Sequence, residues 1–384
     1  MPGARLHLSA AYLALAPYCD VMDALTLLSI RQHVALLATV FALYAAWRWR
    51  QGSGRGVSLG ALGECVRAGA VLATVVAVYT IGALEPRPMA ALSLTDVNAL
   101  AVDFHSHTDA SWDGRHGFSA EDNRAWHRDA GFDVTYISDH GTIAAATAGM
   151  SRNPARAGAG TLVLVAAEVR CEGQHVVILG ATARDTAADC GPLTLPSTLG
   201  NAAALADERV ALLTIPGNLA GGRPLPAVRA FEVADGAPRG MEQMARDGRR
   251  MQRIIDSAGL ARVSGSNNHG WGRTTAAWSV LTIPRWRTMT PESLDLAIRR
   301  DLLLTPRSTV RVVERRRAIP PSSPIGLAMT APVAAWTMLT AMSPAERLSW
   351  MCWIWLAWAC VAIRRASRAA ARVGSRRLVR ARAA

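Results

Sequence analysis

Between residues 100 and 281 the sequence repeats one unit, a short apolar run followed by a longer polar stretch with helical spacing. The runs fall at 100–104, 134–137, 162–165, 176–179, 210–213, 230–233, around Val263, and at 278–281. Unbroken apolar runs of this length suit strands covered on both faces. The stretches between them carry helix signals. Ser119 followed by Asp122 reads as an N-cap with an acid three residues on, and Gly131 stops that helix. Gly259 closes a helical stretch over 241–258, and Pro291-Glu292 opens another. The pattern predicts an α/β fold with a parallel sheet, open or closed into a barrel. In such folds chemistry gathers at the C-terminal ends of the strands.

The flanks differ. Residues 24–46 are largely apolar, interrupted by Arg31-Gln32-His33, and end in Trp47-Arg48-Trp49-Arg50, an aromatic and cationic ending suited to a membrane interface. Residues 68–84 are uncharged and apolar, the short end for a span. After the linker at 319–324, a membrane hairpin is expected from 325–342 and 348–363, followed by an arginine-rich tail. The predicted organisation is a membrane region over 1–96 with two transmembrane helices, a central domain over 97–318, and a membrane hairpin with its arginine-rich tail over 319–384. The lipid bilayer is thus an expected partner, and the expected location is the cell membrane with several passes. Arginines after the first helix and arginines flanking the hairpin demand opposite orientations, so the side of the domain stays open.

A net charge of +13 first suggests nucleic acid or an anionic surface. Residues 97–318 hold 26 arginines against 23 acids, so the basicity belongs to the flanks and nucleic acid is not an expected partner. The chain has no lysine, which makes single arginines weak evidence for an anion site. Cys171 and Cys190 could be free or paired.

The domain's chemistry begins with Asp103-Phe104-His105-Ser106-His107. A His-X-His pair in a strand presents two imidazoles on one face. Ser111-Trp112-Asp113-Gly114, Ser138-Asp139-His140, Glu168, His175, Glu232 and Asn267-Asn268-His269 follow. Imidazoles and carboxylates recurring at strand ends are what a divalent cation needs. Arg115, Arg273 and Trp271 are candidates for substrate contact. Glu232 is expected to hydrogen-bond inside the barrel mouth or to orient a ligand from behind, His116 to be a loop residue and His127 to lie on a solvated helix face.

This ordered set resembles the PHP family, the polymerase and histidinol phosphatase superfamily of metal-dependent hydrolases. The match runs through Asp103 to Gly114, Ala130-Gly131, Ser138 to His140, Ala167-Glu168-Val169, and His175 to Gly180, and covers about 97–275. The resemblance implies a distorted seven-stranded β/α barrel with one to three divalent ions (Zn, Mn or Fe). It implies metal ligation by His105, His107, Asp113, His140, Glu168, His175 and His269, with Asn267 at a ligand position. Among these, Glu168, His107 and His269 are expected to be catalytic. The family's His-Pro is Ile215-Pro216 here, and its closing Asp-X-His is Asn267-Asn268-His269. The closing Asn-His-Gly-Trp-Gly is also similar to the carbamate- and ester-cleaving branch. The expected function is a membrane-anchored phosphoesterase using metal-activated water on a small-molecule phosphate ester. The alternatives are cleavage of a carboxyl ester, carbamate or amide at the same centre, and a degenerate barrel serving as a membrane sensor or binding module.

Overall fold

The computed structural model describes residues 3–52, 61–171, 174–186, 209–215, 228–304, 310–315 and 323–382. In it, every predicted apolar run forms a strand. The strands are β1 (Ala4–His7), β2 (Ala91–Leu94), β3 (Ala99–Ser106), β4 (Val134–Ile137), β5 (Leu162–Cys171) and β6 (Gln174–Leu179), then β7 (Val210–Ile215), β8 (Val228–Asp235), β9 (Ala261–Gly265), β10 (Ala277–Thr282) and β11 (Arg311–Glu314). β1 and β2 pair as a separate antiparallel ribbon, and the rest form one nine-stranded sheet in the order β11-β10-β3-β4-β5-β6-β7-β8-β9. The sheet nearly closes where the end of β3 meets the chain after β9. There Asn267 N–H donates to His105 O and His107 N–H donates to Asn268 O, each at 2.8 Å. Seven strands, β3 to β9, lie between these edges, and β10 and β11 continue the sheet beyond β3.

The sheet is mixed rather than parallel, which corrects the expectation. β3-β4-β5 and β7-β8-β9 run parallel, but β5-β6 and β6-β7 are antiparallel. The two residues between Cys171 and Gln174 are far too few for a parallel crossover, which needs a dozen or more. Cys171 is disulfide-bonded, while Cys190 lies outside the described residues.

Helices cover the sheet as the polar stretches predict. Ala120–Asp129 starts on a capping box in which Ser119 and Asp122 exchange side-chain and backbone bonds. Its Trp126 packs with Phe132 of the following turn and Trp278 of β10. Pro238–Ala258 lays Met251, Ile254 and Ile255 against Val176 and Phe231. Pro291–Leu304 buries Leu294 and Ile298 against Leu164 and Phe104. His127 does not face solvent, contrary to the sequence reading. It is fully buried, with Nε2 2.6 Å from Asp103 Oδ2 and Nδ1 2.8 Å from Asn123 O.

The N-terminal region holds helices Ala16–Thr26, Ile30–Gly52 and Ala61–Leu84. The predicted segment 24–46 straddles a break. Ser29 N–H donates to Gln32 Oε1 at 3.0 Å and Gln32 N–H to Ser29 Oγ at 3.3 Å, so the polar interruption is the first turn of a new helix. Among the described residues two helices, Ile30–Gln51 and Leu62–Leu84, are long and apolar enough to cross a membrane. The C-terminal segment forms Pro324–Ala328, Thr330–Ala341 and Pro344–Arg382, so the first limb of the expected hairpin is two short helices.

A buried ionic joint ties these flanks to the sheet. Asp23 Oδ1 accepts from Arg87 at 3.0 Å and Oδ2 from Arg315 at 2.8 Å, while Arg315 also donates to Tyr12 Oη at 2.7 Å. Trp350 Nε1–H donates to Asp20 at 3.0 Å, drawing in the C-terminal helix.

Candidate metal centre

β3 supplies His105, and His107 follows directly after its last residue, keeping the alternation that turns both imidazoles to one face. Asp103, two residues earlier on that face, is used differently. It accepts from Ser266 Oγ at 2.5 Å and Ser266 N at 2.8 Å, besides its contact with His127. Asp103 therefore pins β3 to the loop after β9, which brings His269 over His107 with ring centroids 4.3 Å apart. The loop after β3 is held by Asp139, which accepts from Thr108 N–H and Thr108 Oγ1, each at 2.7 Å. Gly114 is required there, since a Cβ would lie 1.8 Å from Thr108 O. Ser111 Oγ donates to Asp113 Oδ1 at 2.8 Å and so orients that carboxylate.

Glu168 lies at the centre of the cluster. Its Oε2 is 3.1 Å from His105 Nε2, 3.3 Å from His107 Nε2 and 3.5 Å from His140 Nε2. Its Oε1 is 3.0 Å from His175 Nδ1 and accepts from Thr214 Oγ1 at 3.3 Å. His105 Nε2 and His107 Nε2 are 3.0 Å apart. Beside this group, Asp113 Oδ2 lies 3.2 Å from His269 Nε2 and 3.5 Å from His140 Nε2. Two sets emerge, a buried His105, His107 and Glu168 triad and a more open His107, Asp113 and His269 group.

Electrostatics follow from burial and neighbours. Burial, together with the positive fields of His269 and His105, lowers the His107 imidazole to about 3 despite its bond to Glu168. It is a neutral ring with a lone pair to offer. Burial alone would raise Glu168, but the charge on His105 and hydrogen bonds from His105, His107 and His175 hold it well below the usual carboxylate range. Glu232 is pushed up to about 8 by burial, with Asp235 adding to the push and His105 opposing it.

The donor chemistry fits a divalent cation. His269 Nδ1 lies 2.8 Å from Asn267 O, a carbonyl that can only accept, so Nδ1 donates there and Nε2 is the atom turned toward Asp113. An imidazole nitrogen and a carboxylate oxygen at that spacing can share one cation. His105 Nε2, His107 Nε2 and Glu168 Oε2, mutually separated by 3.0 to 3.3 Å, can do the same. Ligands about 2.0–2.1 Å from a tetrahedral zinc ion stand roughly 3.3 Å from one another.

The other expected site residues are placed as follows. Asn267 Nδ2 donates to Asp235 Oδ2 at 3.1 Å, and its Oδ1 is buried without a partner among the described residues. Ile215 ends β7 and pairs in register with His175. Arg273 turns to Asp129 at 2.7 Å rather than to the cluster. Arg115 lies 5.6 Å from the Phe118 ring centroid, with Nε buried and unpartnered. Trp271 is half-exposed, and Trp112 stacks on His140 at 5.7 Å from its outer side. Glu232 sits behind His105 as expected, Oε2 to Nδ1 at 2.9 Å. Thr214 and Asp235 were not anticipated. Thr214 has no distinguishing spacing, whereas Asp235, an acid ending an apolar run, carried a usable signal.

No protein-family model matches the chain, and no curated protein matches it. Among solved structures it is similar to PsfC from Pseudomonas syringae PB-5123, with 14% identity, 64% of this chain and 100% of that chain covered, and a TM-score of 0.35. It is also similar to an amidohydrolase from Chromobacterium violaceum, with 16% identity, 56% and 97% covered, and a TM-score of 0.29.

Proposed function

We propose that the chain is a metal-dependent hydrolase that cleaves a phosphate ester, held at a membrane by its N-terminal helices. One observation carries this reading: the Glu168 carboxylate stands 3.0 to 3.5 Å from ring nitrogens of four histidines, His105, His107, His140 and His175. A divalent ion bound there would supply Lewis acidity and lower the pKa of a coordinated water, to about 7 for zinc. His105, His107 and Glu168 would hold one ion, and Asp113, His140 and His269 the more open position. Glu168 borders both sets through Oε2, which lies 3.1 and 3.3 Å from His105 and His107 and 3.5 Å from His140, while Oε1 faces His175. Glu232 fixes the His105 ring from behind, and Ser111 fixes Asp113. The Asp113 and His269 edge borders the cavity, so an ion held there would be the one to meet the substrate. The membrane part rests on the apolar helices Ile30–Gln51 and Leu62–Leu84, whose surfaces are little covered by the rest of the chain.

Cleavage of a carboxyl ester, carbamate or amide is the second reading, and Arg273 favours it. A phosphate group calls for cationic donors, yet Arg273 is engaged with Asp129, and no arginine lines the cavity among the described residues. Elemental analysis of the purified full chain, run beside bis-p-nitrophenyl phosphate and p-nitrophenyl acetate, tests both. Bound metal with chelator-sensitive turnover of either ester is expected. A metal-free protein that stays inactive when zinc, manganese or iron is added would overturn the hydrolase reading.

A further inference from the structure

The metal cluster is partly exposed on its Asp113 side. It opens into a cavity of about 330 Å³ whose opposite wall is made by the N-terminal helices. At the cluster end stand Asp113, His269, Asn267, Asn268 and Thr274. Three atoms there, Asn267 Oδ1, Asn268 Nδ2 and Thr274 Oγ1, are buried yet have no hydrogen-bond partner among the described residues. This end of the cavity is therefore the polar one. The far wall is of another character. Leu25, Val78, Ala83 and Trp271 line it, contributed by helices Ala16–Thr26 and Ala61–Leu84 and by the loop after β9.

This wall is fastened to the site. Gly272 N–H, three residues beyond His269, donates to Ala83 O at 2.9 Å. A Cβ on Gly272 would come within 2.6 Å of Thr26 Cγ2, and one on Gly82 within 3.1 Å of Met22 Sδ, so small residues let helix and loop meet. His33 Nδ1 lies 3.0 Å from Tyr79 Oη, bridging the two long helices at the cavity. A small water-soluble ester needs none of this apolar lining.

We infer that the substrate is an amphiphile, an ester whose scissile polar group sits at Asp113 and His269 and whose hydrocarbon tail lies between helices Ile30–Gly52 and Ala61–Leu84 and the barrel mouth. The inference rests on the hydrolase reading for the scissile group, while the tail site rests on the cavity alone. The outward surfaces of the same helices are apolar, with Leu72 and Val76 half-exposed, so the tail can arrive from within a bilayer without crossing water.

The test uses the full chain in polymer-bounded nanodiscs, free of detergent. Two series, alkyl p-nitrophenyl phosphates and p-nitrophenyl alkanoates, carry tails from methyl to dodecyl. In whichever series turns over, kcat/KM should rise roughly threefold per methylene until the cavity fills. Val78→Trp, which occupies the tail site, should cut the octyl-to-methyl ratio at least fivefold. A flat series, or a ratio unmoved by Val78→Trp, overturns the inference and leaves the hydrolase reading standing. A turnover-independent arm uses an octyl phosphonate with a terminal diazirine, its adducts mapped by peptide mass spectrometry. Labelling at Leu25, Val78 or Ala83 that unlabelled octyl phosphonate competes away supports the tail site, even if no ester is cleaved and the hydrolase reading fails. Labelling confined to Leu72 and Val76, and not competed, overturns it.

Discussion

Glu232 Oε2 stands 2.9 Å from His105 Nδ1, and the other nitrogen of that ring stands 3.1 Å from Glu168. One imidazole is thus gripped from behind by one acid and presented to the cluster beside a second. The rear contact fixes the orientation of the ring toward the site. Glu232→Gln should lower metal affinity roughly 10- to 100-fold, the usual weight of such a supporting residue. Titration with a competing chelator measures it, and an affinity unchanged from wild type would remove Glu232 from the centre.

Replacing the shared carboxylate should cost more. Glu168→Gln keeps the shape but removes the charge that faces four imidazoles. Turnover should fall by more than the hundredfold ceiling of a supporting residue, and metal content should drop, with the circular dichroism spectrum retained. Full metal loading with full turnover would refute the assigned centre.

The pair between His127 and Asp103 is structural. Both side chains are fully buried, and their contact measures 2.6 Å. His127→Ala leaves a buried carboxylate with fewer partners, at a cost of about 3 kcal/mol. Urea unfolding should show the loss. Any protein that still folds should bind metal less well, because Asp103 also holds Ser266 and thereby the loop bearing His269.

Asp133 offers a test of pH dependence far from the centre. Burial raises its carboxyl to about 6, from the ordinary value of 3.8, against its bond from Ala101 N–H. An acid with a raised folded pKa stabilises the fold while protonated. That contribution is complete below about pH 4 and is lost as pH rises through about 6. Asp133→Asn, which keeps an acceptor for Ala101 N–H, should therefore raise the thermal midpoint at pH 7. The gain should vanish near pH 4, and an equal gain at both values would contradict the assignment.

The strands and the donors could be read from the sequence because both are local signals. Apolar runs announce themselves within five residues, and His105, His107, Asp113, His140, Glu168 and His269 each follow such a run, while His175 opens one. What escaped depends on distant chain. His127 looks like any polar helix residue until Asp103 is set beside it, and nothing near Asn267 reveals Asp235 as its partner. The reversal at β6 hides in a two-residue link. Least legible was the cavity wall. His33 registered only as a blemish in an apolar helix, although an ionisable residue there is itself a sign of function.

The ionic joint at Asp23 bears on how this molecule can be dissected. A chain cut at residue 97 would lose Tyr12, Asp23 and Arg87 together, leaving Arg315 with Glu346 at 3.8 Å as its remaining counter-ion. It would also lose the outer wall of the cavity. Excision of the barrel at residue 97 should therefore destabilise it, because Arg315 would lose its buried partners Asp23 and Tyr12. Changes at either terminus, by fusion, trimming or evolutionary swap, should register at His269 through the loop that Ala83 holds.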